Sequence, residues 1–136
     1  MRLLPLILLL LPVTAPGSDH YHATFSDDLR QVTVRACFAG KPPRYLYRNP
    51  SADSYTEWIR NDDGTERRKN GGQRLNPGNE ACLRWQVDLG RAADEGNYRV
   101  AFRSGSDTVA STDLWFWRDD ERREIRVEAK LPAGAE

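Results

Sequence analysis

The run Cys82-Leu83-Arg84-Trp85-Gln86-Val87-Asp88-Leu89 constrains this chain more than any other. Leu83, Trp85, Val87 and Leu89 fall on one side of an extended backbone, and Cys82, Arg84, Gln86 and Asp88 fall on the other. Such alternation predicts a half-buried strand. The same period recurs in His20 to Phe25, with Tyr21, Ala23 and Phe25 inward, and in Val32 to Phe38, with Val32, Val34, Ala36 and Phe38 inward. Ser26-Asp27-Asp28 between these two runs is turn chemistry, so they are predicted to form a hairpin.

Further along, Gly40-Lys41-Pro42-Pro43 breaks the pattern, and Arg44 to Arg48 offers a short strand. Ser51 or Asp53 can cap a brief helical turn carrying Tyr55, Trp58 and Ile59. Residues 61 to 79 are polar and turn-rich, with short strands expected around Thr65 to Arg67 and Gln73 to Leu75. Beyond the Cys82 strand, residues 90 to 96 read as a connection, and Asn97 to Arg103 as a strand with Tyr98, Val100 and Phe102 inward. Thr108 to Trp117 reads as another, ending in Leu114-Trp115-Phe116-Trp117, where both faces are apolar. The last clear strand alternates Ile125, Val127, Ala129 and Leu131 with Arg126, Glu128 and Lys130 before Pro132 stops it. Short strands punctuated by turns predict an all-β fold, an antiparallel β-sandwich with one short helical turn.

At 136 residues the chain is expected to hold one domain, residues 18–136, behind a signal peptide at residues 1–17. Arg2 precedes the apolar block Leu3 to Val13, and Ala15 and Gly17 supply small residues for cleavage after Gly17. That block is short and broken by Pro5 and Pro12, so no stable membrane span is expected, and the product is read as periplasmic or secreted. Export places Cys37 and Cys82 in an oxidising compartment, where a disulfide is the default and would contribute about 4 kcal/mol on a chain-entropy model. Both cysteines lie on the polar faces of their strands. If those strands are neighbours, the bridge crosses the outer face of one sheet and its Cα atoms lie within about 7 Å.

Charge excludes one class of partner. Lys plus Arg and Asp plus Glu each number 20, and removing residues 1–17 takes away only Arg2, so no field favours nucleic acid. Catalytic signatures are also missing. His20 and His22 are the only histidines, which rules out a His-Glu-x-x-His zinc helix, and their exposed i, i+2 pairing near the mature N-terminus argues against ligation. No Gly-x-Ser-x-Gly elbow is present, and Asn61-Asp62-Asp63-Gly64 lacks the acidic first and twelfth positions of a calcium loop. No catalytic residue, metal ligand or cofactor is therefore assigned. The aromatics carry more: Trp115 and Trp117 share one strand face and Phe116 the other, so one side is either covered internally or docks a partner.

Three segments carry a family resemblance. His22 to Phe25 with Val32 to Ala36, the Cys82 to Leu89 strand, and Leu114-Trp115-Phe116-Trp117-Arg118 followed by the strand to Leu131-Pro132-Ala133-Gly134 resemble the N-terminal β domain of the glycyl-aminopeptidase family. Members are exported zinc metallopeptidases that join such a domain to a thermolysin-like catalytic domain and a PDZ domain. The resemblance implies a non-catalytic module that helps shape a substrate cleft, either an orphan relative or a fragment of a longer peptidase. Its implied partner is a peptidase catalytic domain or a peptide or protein ligand. The family's zinc ligands and general base have no counterparts in this sequence, so none is carried over. The alternatives are a periplasmic inhibitor or chaperone-like partner of a separate peptidase, or a hydrolase with an unrecognised site.

Overall fold

The computed structural model describes residues 17–69, 71–76 and 81–135, so the expected leader lies outside the described residues save for Gly17. Its strands are β1 (Asp19–Phe25), β2 (Gln31–Cys37), β3 (Tyr45–Leu46), β4 (Thr56–Asn61), β5 (Gln73–Arg74) and β6 (Cys82–Asp88). Helix α1 (Leu89–Glu95) follows, then β7 (Ala101–Ser104), β8 (Asp107–Ala110) and β9 (Ile125–Lys130). The fold is all-β, as the alternation requires.

The predicted hairpin forms, with Phe25 opposite Val32 and His20 opposite Cys37. Its turn is held by the Ser26 hydroxyl donating to Asp28 at 2.6 Å, while the same carboxylate accepts the Arg30 amide at 3.0 Å. β6 pairs antiparallel with β2, β4 pairs antiparallel with β6, and β9 returns to pair parallel with β1. The resulting five-stranded sheet runs β4-β6-β2-β1-β9.

One face of this sheet makes the core. Tyr21 and Ala23, Val32, Val34 and Ala36, Leu83, Trp85 and Val87, and Ile59 are all buried on it. Removing each Val or Leu side chain from water stabilises the fold by about 1.5–3 kcal/mol. The covering layer is assembled from small pieces instead of one broad sheet. A β3–β5 ribbon brings Leu46, a β7–β8 hairpin brings Ala101, and α1 brings Leu89, Ala92 and Ala93 into the same apolar cluster. Gly72 lets the first ribbon close, since a Cβ there would lie 2.6 Å from the Leu46 carbonyl oxygen.

Cys37 stands directly opposite Cys82 and is bonded to it, with Cα atoms 4.1 Å apart. The bridge lies on the outer face, since the intervening neighbours Ala36 and Leu83 point into the core. Its position matches the strand parity read from sequence.

Several local expectations change. Residues 90–95 form most of α1, because Asp88 caps the helix by accepting the Arg91 amide and Gly96 ends it at φ 68°. Asn97 likewise draws the next residues into a turn. Its carbonyl accepts the Val100 and Ala101 amides, which delays β7 and leaves Tyr98 82% exposed. The helical turn at Pro50–Tyr55 is 3-10 and carries Tyr55, while Trp58 and Ile59 belong to β4.

Candidate functional site

Trp85 organises the surface that follows β8. Its indole N–H donates to the Trp115 carbonyl at 2.9 Å, and its ring stacks on Trp117 at 4.1 Å with planes 5° apart. Residues 108–117 are therefore not one strand. β8 stops at Ala110, and Ser111 opens a 3-10 turn over Thr112–Leu114 by accepting the Asp113 amide. This turn replaces alternation with another partition: Leu114 and Trp117 are fully buried, whereas Trp115 and Phe116 pack on the core while staying partly exposed. Of the three aromatics read as a candidate binding surface, Trp117 is core and only Trp115 and Phe116 reach solvent. Arg48 covers the far side of Trp117, its guanidinium 5.2 Å from the ring centroid and paired with Asp53.

Trp115 and Phe116 line an apolar trough. One recess of about 260 Å³ is lined by Phe25, Leu29, Leu89, Trp115 and Leu131 together with Thr108, Ala110 and Thr112. A second, lined by Thr112, Trp115, Phe116 and Val127, shares Thr112 and Trp115 with it. Among the described residues no charged side chain lines either. Phe25 sets its ring edge-on to Trp115 at 5.8 Å, and Tyr21 supports Phe116 from beneath at 5.3 Å. Burial, with Asp19 and Asp119 nearby, pushes the Tyr21 phenol well above its ordinary range, so it stays neutral beneath the trough.

The trough borders an open sheet edge. Val127 lies opposite Tyr21 and Ala129 opposite Ala23, so the apolar row of β9 belongs to the face that elsewhere is core. Among the described residues no part of the covering layer seals it: Val127 is 43% and Leu131 46% exposed. The opposite edge of the sheet is different. The segment Thr65 to Arg67 folds back along β4, the Asn61 amide donating to the Thr65 carbonyl and the Arg67 amide to that of Ile59. Among the described residues, β9 is the edge left without such a cover.

A buried ion pair holds β9 in place. Arg123 clasps Asp19 through two bonds of 2.7 Å and donates to the Ala39 and Lys41 carbonyls, while Asp19 also accepts the Ala39 amide. Asp19 is 1% exposed. Charge-assisted, bidentate bonding of this kind fixes both position and register.

The histidines lie elsewhere. His20 and His22 stack at 6.4 Å on the outer face of β1, with His22 3.3 Å from Glu128, on the opposite side of the sheet from the trough. Among the described residues no three His, Cys, Asp or Glu side chains converge as a metal site.

The sequence pointed to Trp115 and Phe116 as candidate surface residues but not to Phe25, Leu29, Val127 and Leu131, which line the same trough. Alternation gave the inward side of β9 correctly. What it lacked was any sign that the covering layer stops short of that strand. Comparison with family models, with curated proteins and with solved structures finds no match to this chain.

Proposed function

We propose that this chain is a non-catalytic, exported protein-binding module that accepts an extended segment along β9, with the segment's apolar side chains laid over the trough. The observation that carries this is the exposure of Val127 and Leu131 on an open edge, on the face that the rest of the sheet buries. Strand addition supplies affinity through backbone hydrogen bonds and selectivity through alternate side chains. The Cys37–Cys82 disulfide fits an exported setting, and among the described residues no helix is long and apolar enough to cross a membrane. The resemblance to the glycyl-aminopeptidase β domain supports the same reading, since that module works by packing against another domain.

Ala129→Pro tests it. The Asp19 amide donates to the Glu124 carbonyl, so residues 124, 126 and 128 bond toward β1 and residues 125, 127 and 129 point their backbone groups to the open side. Proline at 129 removes an outward N–H without breaking the β1–β9 ladder. Linear peptides selected on the wild-type protein from a displayed library are expected to alternate apolar with polar residues and to lose at least tenfold affinity for this variant. Failure to select any binder, or equal affinity for the variant, overturns the proposal.

A further inference from the structure

The partner of this edge can be read from β9 itself, if the strand-accepting role above is granted. We infer that the segment laid against β9 is β9 of a second copy of the same chain, paired antiparallel about Val127 so that two five-stranded sheets join into one.

The register follows from which backbone groups are free. Outward-pointing residues must pair with outward-pointing residues, so a two-fold axis at Val127 sets Val127 against its own counterpart and Ile125 against Ala129 of the second copy. Those pairs exchange backbone hydrogen bonds. Between them fall the close, non-hydrogen-bonded pairs, and these bring Arg126 opposite Glu128 of the second copy and Glu124 opposite its Lys130, each occurring twice by symmetry.

Charge selects this register over its neighbours. Slipping the pair by two residues one way sets Glu128 against Glu128, and slipping it the other way sets Arg126 against Arg126. Like charges directly opposite are destabilising. The side chains concerned are available: every residue of β9 after Ile125 is exposed, and Glu128, 3.3 Å from His22, remains more than half exposed. On the other face the pairing sets an apolar row of Val127, Ile125 and Ala129 from both copies between their two Phe116 rings. Neither proline nor a bulge interrupts β9, so two of the common guards against edge pairing are absent from it.

The test is a charge swap read by sedimentation equilibrium on the exported chain with its disulfide intact. A single strand pair forms a small interface, so the wild type is expected to shift from monomer to dimer between about 1 and 500 µM. Glu128→Arg alone and Arg126→Glu alone each set like charges opposite one another twice, and each is expected to be monomeric over that range while keeping the wild-type circular dichroism spectrum. An equimolar mixture of the two restores both opposite-charge pairs and is expected to dimerise as the wild type does. A wild type that stays monomeric, or a mixture that fails to recover the dimer, overturns the inference. The library-selected peptides separate the two claims. A monomeric wild type that still binds them retains the strand-accepting role with a different occupant, and one that binds none loses both.

Discussion

Trp85 joins the core face of the sheet to the segment that follows β8. It fills the centre of the sheet face, stacks on Trp117, meets the edge of the Tyr21 ring at 6.0 Å and holds the Trp115 carbonyl. Trp117→Ala should therefore empty the core and expose one face of Trp85, lowering stability by about 3–5 kcal/mol in urea unfolding. Trp115→Ala removes a partly exposed ring whose backbone carbonyl still accepts the Trp85 bond. It should cost less than half as much while abolishing peptide capture. Equal losses would mean that the trough is part of the core. Arg123→Ala acts through another cause: it leaves the Asp19 carboxylate buried without its cation. Breaking such a pair is expected to cost about 3–5 kcal/mol and to raise amide exchange along β9 before the rest of the sheet.

At the level of the elements, the Cys37–Cys82 bridge ties two adjacent central strands across 45 positions of sequence. Reduction, or replacement of both residues by Ala, is expected to lower stability by about 4 kcal/mol, mostly through a less restricted unfolded chain. A chevron analysis should show whether that loss falls on the folding arm, as it must if β2 and β6 pair early. How far these elements were readable depended on which force shaped each one. β1, β2, β6 and β9 have strict alternation over six or seven residues, and parity alone gave their faces and the side of the disulfide. Three of the segments misread share another feature, a short polar side chain beginning a turn: Asp88 before α1, Asn97 before β7 and Ser111 before the 3-10 turn over Thr112–Leu114. Cap chemistry outweighed the apolar pattern downstream in each case. Trp117 went from strand face to core for that reason, and the parallel pairing of β9 had no local signal at all.

Across the whole molecule, arginine–aspartate contacts tie the periphery together. Asp62 is held below the usual carboxylate range by Arg35, and Asp94 by Arg30 and then Arg103. Asp28 is lowered by the Ser26 hydroxyl and then by the Arg30 amide. Each depressed carboxylate contributes stability that is fully present above its unfolded value and lost as pH falls through its folded one. The melting temperature should accordingly be flat above about pH 5 and drop below about pH 4. Asp94→Asn should reduce the size of the acid-side drop. A melting temperature that rises on acidification would refute this account.

The parallel seam between β1 and β9 also has a bearing on the order of synthesis. Asp19 leaves the ribosome more than a hundred residues before Arg123, yet each is the other's principal partner. Until β9 emerges, β1 keeps one side unmatched and a carboxylate without its counter-charge, so the five-stranded sheet closes only once residues 123–130 have left the ribosome.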